Sequence, residues 1–224
     1  MLLFSRCHED TKAKYESPEG YDFSKPWILK LPIELDEISG LAYYAKDTSV
    51  FAINDEFGWL YKIHLPGRHH IRKWKFSGAG DYEEILMIDT IFYALQSNGH
   101  IEVFTFGPDH NVLKADAIFP SKGNEFESLY YDSAAHKIAL VCKDCDVDKK
   151  PTVTKYFFDP VTKQYLDSTE TIDVQKIAIM LGEKSLKFKP SASAVPPVTK
   201  ELYLISAVNS LLVITDGKGE PRMA

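Results

Sequence analysis

Acidic side chains recur at matching places along the chain, and they are the residues best suited to chemistry. Asp81 and Glu83 are matched one repeat later by Glu125 and Glu127, and Glu37 holds the place of Asp81 one repeat earlier. Residues two apart along a strand point to the same side. These carboxylates are therefore expected to converge. Oxygen-rich groups of this kind bind hard cations such as Ca²⁺.

Two interpretations of this acidic set remain open. In the first, Glu37, Glu83 and Glu127 hold a divalent cation, with Ca²⁺ the ion expected, inside a wider ligand-binding mouth. The residues of that mouth are Glu37, Asp55, Asp81, Glu83, Asn124, Glu125, Glu127 and Lys143. In the second, Lys143 and Arg68 neutralise the carboxylates within a structural network, because crowded like charges need relief.

Two further motifs are weaker. Cys142 and Cys145 have the C-x-x-C spacing of a redox pair or of half a zinc site, although cysteines flanking a loop at a strand end are the simpler interpretation. Residues 144–148 read D-x-D-x-D, like the opening of a calcium loop, but Lys149 stands where that loop needs Gly. Motifs of serine hydrolases, zinc proteases and P-loop NTPases are absent, so no catalytic residue is assigned.

The acidic residues stand at the start of a repeated unit, which predicts the fold. Four segments share a lead-in, an apolar run, a polar turn and two alternating strands, with lead-ins near positions 39, 83, 127 and 191. A period of about 44 residues that holds four strands is typical of a β-propeller blade, with a β-sandwich as the alternative. We predict an all-β propeller of four-stranded antiparallel blades, with a short helical insertion near 174–185.

The two ends of the chain suggest how this domain is bounded. Residues 1–20 indicate a tether and residues 21–224 the propeller. The apolar start before Cys7 is either an ordinary N-terminus or the remainder of a lipoprotein signal. Residues 216–224 read as a turn with no strand after it. The last blade is therefore expected to lack a strand, unless residues 28–31 supply it or the native chain continues.

Composition excludes several classes of function. Of the 224 residues, 45% are hydrophobic and 26% charged, and the formal net charge is -6. An acidic balance argues against nucleic acid as the main partner. No apolar run approaches about 18 residues, so we expect no membrane span in the chain. Three cysteines cannot form a disulfide framework.

The motifs together resemble the SdiA-regulated family of bacterial envelope β-propellers, which are relatives of NHL-repeat and phytase-esterase-like proteins. The resemblance runs from about Tyr15 to Gly219. It rests on EISGL at 37–41, NDEFG at 54–58, GAGDYEE at 78–84, SNG at 97–99, NEFE at 124–127, CK at 142–143 and KPS at 189–191. The chain departs from the family at Glu84 and Ser128, where Gly is usual.

This resemblance implies a protein of the cell envelope, periplasmic or on the outer surface, that contacts the membrane only through a lipid anchor at Cys7. The function expected is a binding or interaction module whose acidic mouth takes a cation, a small ligand or an envelope protein. The alternative is a metal-dependent phosphoesterase or lactonase-like hydrolase, in which Glu37, Glu83 and Glu127 hold Ca²⁺.

Overall fold

The computed structural model describes residues 17–66, 70–108, 112–148, 151–197 and 199–224, so Cys7 and Arg68 lie outside the described residues. The chain divides into two compact units, residues 1–33 and 34–224. In the first unit, the Tyr21 amide donates to the Pro18 carbonyl oxygen at 3.0 Å and closes a turn. Residues 28–31 of this unit belong to no strand.

The second unit is a four-bladed β-propeller made of four antiparallel four-stranded sheets in chain order. Blade 1 contains β1 (Ile38–Tyr44), β2 (Ser49–Asn54), β3 (Phe57–His64) and β4 (Ile71–Ala79). Blade 2 contains β5 (Tyr82–Ile88), β6 (Ile91–Gln96), β7 (Ile101–Phe106) and β8 (Val112–Ala117). Blade 3 contains β9 (Asn124–Asp132), β10 (Lys137–Cys145), β11 (Thr152–Asp159) and β12 (Gln164–Asp173). Blade 4 contains β13 (Ala192–Ala194), β14 (Leu202–Ser206), β15 (Leu211–Thr215) and β16 (Pro221–Met223).

One short helix, α1 (Val174–Met180), lies between blades 3 and 4 within the predicted insertion. Asp173 caps its first turn, because the Asp173 carboxylate accepts hydrogen bonds from the amides of Gln175 and Lys176. Among the described residues, no helix is long and apolar enough to cross a membrane. The prediction of an all-β propeller with a single helical insertion is confirmed.

The expectation that the last blade lacks its outer strand is wrong, because β16 pairs with β15 through Met223 and Ile214. The Asp216 carboxylate accepts hydrogen bonds from the amides of Lys218 and Glu220, both at 3.0 Å, and so closes the turn before this strand. Residues 28–31 do not supply the strand. A three-residue strand that begins with proline lacks the alternating apolar pattern on which the prediction depended.

The core lies between the blades. The described residues form three hydrophobic clusters, one for each contact between consecutive blades. Strand β10 contributes side chains to two of these clusters. Ile138 and Leu140 pack in the cluster toward blade 2, whereas Ala139 and Val141 pack in the cluster toward blade 4. Both faces of the strand are buried, so alternation of apolar and polar residues disappears.

The innermost strands position the acidic residues. Strand β1 packs on β5, β5 on β9, and β9 on β13. In β1, β5 and β9 the pairing with the next strand slips at Ser39, Glu83 and Glu127, respectively. Each slip is a β-bulge, which leaves an extra residue on one strand and re-aims its side chain. The bulge therefore recurs at the same place in three blades.

Gly40 permits the close approach of β1 and β5. A Cβ atom at this position would lie 2.5 Å from the Ile85 amide nitrogen and 2.8 Å from the Glu84 Cα atom. We expect Gly40→Ala to destabilise the fold by about 2 kcal/mol, because two backbones would have to move apart. Urea unfolding measures this, with Gly78→Ala as the control, since nothing lies within 4 Å of a Cβ there. Equal midpoints for the two variants would contradict the close approach.

Candidate functional site

The acidic mouth is the cluster formed by Asp81, Glu83, Glu125, Glu127 and Lys143. The Lys143 ammonium donates hydrogen bonds to Glu125 Oε1 at 2.5 Å and to Glu127 Oε1. Glu127 and Lys143 are each about one-fifth exposed, whereas Glu125 is nearly half exposed. The mouth is thus a partly buried group of four carboxylates around one ammonium.

Paired bulges on β9 and β10 bring this ammonium to the carboxylates. Phe126 pairs with Cys142 and Glu125 pairs with Asp144, so the register of β10 passes over Lys143. Glu127 is passed over in the same way on β9. Each of these two residues is the extra member of a bulge, where a side chain leaves the regular alternation. Their side chains therefore meet.

Burial and like charge act together on Glu83. Burial first, and then the negative charges of Glu127 and Asp81, raise the pKa of Glu83 to about 7. Lys143 is near enough to oppose this shift electrostatically but makes no hydrogen bond to Glu83. Burial lowers the pKa of Lys143, but its hydrogen bonds with Glu125 and Glu127 outweigh burial and raise it above the ordinary value. Lys143 therefore remains charged.

Asp81 is held at the edge of this mouth by blade 2. The Ser97 hydroxyl donates to Asp81 Oδ2, and the Ser97 amide donates to the Asp81 carbonyl oxygen at 2.9 Å. The Ser97 carbonyl oxygen in turn accepts a hydrogen bond from the Phe126 amide of blade 3 at 2.8 Å. The loop after β6 therefore connects the carboxylate of Asp81 to the start of β9.

Three other residues of the predicted mouth have different surroundings. Glu37 is exposed, and its carbonyl oxygen accepts a hydrogen bond from the Asp55 amide at 3.3 Å. The Asp55 carbonyl oxygen accepts the Tyr82 amide at 2.8 Å and so links blades 1 and 2. Asn124 donates to Ser121 Oγ at 2.9 Å and holds the turn before β9. The contacts of Glu37 and Asp55 are therefore backbone hydrogen bonds, and the contact of the Asn124 side chain stabilises a turn.

The three predicted metal ligands do not form a single cluster in the structure. Glu37, Glu83 and Glu127 are all described, yet they do not form a group of three whose carboxylate oxygens all lie within 4.8 Å of one another. Glu127 is occupied by the Lys143 ammonium. A cation that entered this mouth would therefore have to compete with Lys143 rather than enter a ready-made cage of oxygens.

Cys142 and Cys145 form a disulfide whose Cα atoms are 6.0 Å apart. Both cysteines are buried, and Asp148 lies beside them. In this state the sulfurs are not free to bind a metal. The Asp148 carboxylate instead accepts hydrogen bonds from the amide and hydroxyl of Thr154, and the Asp144 carboxylate pairs with Lys189. The carboxylates of Asp144 and Asp148 are thus committed to separate partners.

Two buried glutamates were missed in the sequence. Glu102 Oε1 accepts hydrogen bonds from Ser77 Oγ and Tyr82 Oη at 3.0 Å and from Gln96 Nε2 at 3.1 Å. Glu84 Oε1 accepts hydrogen bonds from the Leu41 amide of β1 and from the Ile85 amide of its own strand, β5. A signal existed for both: Glu102 stands at a core-facing place in an apolar strand, and Glu84 stands where the matching units have small residues.

Glu102 also has an ionic partner. Lys114 Nζ lies 2.8 Å from Glu102 Oε2 and forms a salt bridge with it. Lys114 donates a hydrogen bond to Ser77 Oγ at 2.8 Å as well. The result is a polar network between blades 1 and 2 that uses the carboxylate of Glu102 as its centre.

Comparison with known proteins finds a likeness of fold and no closer relationship. No family model matches the chain, and no curated protein sequence matches it. A protein of unknown function from Bacteroides thetaiotaomicron is 10% identical, with a TM-score of 0.51 over 84% of this chain and 43% of that one. The Staphylococcus aureus virginiamycin B lyase is 10% identical (TM-score 0.49, 87% and 57%). The Cps50 (Swd1) β-propeller domain of Myceliophteria thermophila is also 10% identical (TM-score 0.48, 79% and 51%).

At such low identity the likeness extends to the fold alone, and the propeller assignment rests on the four blades of this chain. The chain spans about half the length of the solved structures it resembles. The resemblance to the SdiA-regulated family therefore stays a prediction.

Proposed function

We propose that this propeller is a binding module whose acidic mouth takes a positively charged ligand, either Ca²⁺ or a small organic amine. The observation that carries the proposal is the state of Glu83. Its half-buried carboxylate has no cationic partner at hydrogen-bond distance within the described part of the chain, while Asp81 and Glu127 repel it. A bound positive charge would relieve this repulsion.

The charges of the mouth support the same conclusion. Within the described residues, four carboxylates face a single ammonium, that of Lys143, which hydrogen-bonds two of them. The position of Lys143 also indicates that an ammonium group fits among these oxygens. Because Lys143 stands in a bulge at the end of β10, a ligand could displace it without breaking the ladder between β9 and β10.

We expect opposite effects from two substitutions in the mouth. Glu83→Gln removes the unpaired carboxylate and should weaken cation binding about tenfold, whereas Lys143→Gln removes the competing ammonium and should strengthen it about tenfold. Binding is measured by isothermal titration of EDTA-treated protein with CaCl₂ and, separately, with putrescine. The two titrations distinguish a metal ion from an organic amine as the ligand.

Glu183→Gln is the matched control, because Glu183 is an exposed carboxylate outside the mouth. It should leave both titrations unchanged. If neither ligand binds the wild-type protein or the Lys143→Gln variant, the mouth is a structural network and the proposal fails.

We also propose that the module works in the cell envelope, anchored by a lipid at Cys7. The resemblance to the SdiA-regulated family supports this, and so does the disulfide between Cys142 and Cys145, since disulfides persist in oxidising compartments. Fractionation of the natural host, followed by detection of the protein in the envelope or the cytosol, tests this part of the proposal.

A further inference from the structure

A central cavity of about 530 Å³ lies further along the inner strands than the acidic mouth. All four inner strands line it, together with the loop that follows β13. Most of the lining is apolar and includes Leu41, Leu86, Met87, Leu129 and Val195. Pockets for small molecules are typically concave, mostly apolar and roughly 300–1,000 Å³ in volume. The central cavity has this character.

Apolar side chains on the wall of the cavity are unusually open. Leu41 is 56% exposed and Tyr43 is 61% exposed, although both belong to the innermost strand of blade 1. Between them, Ala42 is buried in the cluster shared with blade 2. The alternation shows that β1 buries one face in the core and turns the other toward the cavity. A ligand in the cavity would cover this second face.

Glu84 places a carboxyl group in this apolar wall. Only 8% of the residue is exposed, so it is more than nine-tenths buried. Its Oε1 atom accepts the Ile85 amide at 3.0 Å and the Leu41 amide at 3.2 Å. Within the described residues, Oε2 makes no hydrogen bond. The two amides orient the carboxyl group and leave one oxygen for a partner in the cavity.

Ser193 supplies a second polar group from the opposite strand, β13. Ser128 Oγ donates to Ser193 Oγ at 2.6 Å. Each serine hydroxyl can donate or accept in this pair, and Ser193 also lines the cavity. The lining also includes the polar residues Ser133 and Lys200. A largely apolar cavity in which Glu84 and Ser193 lie on opposite strands favours a ligand with a matching polar atom.

We propose that the central cavity binds a compact, largely apolar small molecule through a hydrogen bond with Glu84 and Ser193. Its polar group is an uncharged one, such as a ketone or a hydroxyl. Because burial raises the pKa of Glu84 to about 8, the carboxyl group is protonated at neutral pH and can donate a hydrogen bond to a ketone oxygen. The site uses none of the acidic-mouth side chains, so the result of its test does not depend on whether the acidic mouth binds a cation.

The probe for this proposal is prodan, 6-propionyl-2-(dimethylamino)naphthalene, a neutral ketone whose emission shifts to the blue in apolar surroundings. Wild-type protein should give a saturable, blue-shifted signal with one molecule bound per chain. Ala194→Trp should weaken binding at least about tenfold, because Ala194 is an exposed residue of β13 that lines the cavity. Val161→Trp is the matched control, since Val161 is 85% exposed in the turn between β11 and β12.

The role of the carboxyl group is tested by two further variants. Glu84→Gln keeps an acceptor and a donor and should retain prodan binding to within about threefold. Glu84→Leu removes both and should weaken binding about tenfold. Thermal melts followed by circular dichroism establish that each variant is folded.

Three results would overturn the proposal: a wild-type signal that does not saturate, equal affinity of Ala194→Trp and Val161→Trp, or equal affinity of the two Glu84 variants. The last comparison needs no folded Ala194→Trp protein, so the proposal remains testable if that variant misfolds.

Discussion

Replacement of Glu102 by alanine is expected to destabilise the propeller by about 3 kcal/mol, a larger loss than that expected for Gly40→Ala. The change removes the acceptor of three side-chain hydrogen bonds and the ionic partner of Lys114 at once. Tyr82, which is fully buried, would lose the partner of its hydroxyl group. Urea unfolding at neutral pH measures the loss.

The control for this prediction replaces both ionic partners by apolar residues of similar length. In the double variant Glu102→Met with Lys114→Met, neither member of this pair is left behind, and the half-exposed Asp116 loses only a 3.5 Å contact with Lys114. Replacing a buried or partly buried ion pair by apolar residues is often nearly neutral. We expect the double variant to be more stable than Glu102→Ala. If Glu102→Ala costs less than about 1 kcal/mol, the network is not the main polar link between blades 1 and 2.

Glu84→Gln is expected to change how stability depends on pH. Burial raises the pKa of Glu84 to about 8, although the amides of Ile85 and Leu41 oppose the shift. In the unfolded chain the group titrates near its ordinary pKa of 4.5. Between these values the native state binds more protons than the unfolded state, so stability falls as pH rises. The contribution is fully present below pH 4.5 and is lost as pH passes 8.

Glutamine removes this titration but keeps an oxygen for the two amides. The stability of Glu84→Gln relative to wild type should therefore improve by about 3 kcal/mol between about pH 5 and pH 8. Urea unfolding in EDTA at both pH values measures it. Glu83, whose pKa is raised to about 7, titrates in the same window in both proteins, so the difference between them isolates Glu84. Glu183→Gln should track wild type, and parallel curves for Glu84→Gln would refute the prediction.

Most of the fold could be predicted from local pattern. The sequences of β6 and β7 are largely apolar, as expected for strands in the interior of a blade. Between them, Gly99 has a positive φ of 84° in the turn that reverses the chain. The sequence repeat predicted blade lead-ins near positions 39, 83 and 127, and the structure has a β-bulge at each of these positions. Strand β16 was missed because pairing, not composition, makes Pro221–Met223 a strand.

The candidate site was only partly predictable. Spacing indicated that Asp81, Glu83, Glu125 and Glu127 share one mouth, since strand periodicity carries that information. It did not indicate that Lys143 enters the mouth through its own bulge, because a bulge depends on the register between β9 and β10. Glu37 fitted the spacing equally well, yet it is exposed, and the charges that act on Glu83 are those of Glu127, Asp81, Lys143 and Glu125.

The sequence by itself determined the blade architecture and the concentration of acidic residues at the blade lead-ins, because periodicity, turn residues and charge are local properties of the chain. Only the tertiary structure decided which carboxylates meet, which of them hold a lysine, and which are buried. Those outcomes depend on the approach of strands far apart in sequence, such as β1 on β5 at Gly40, and on the desolvation that this packing imposes on Glu83, Glu84 and Glu102.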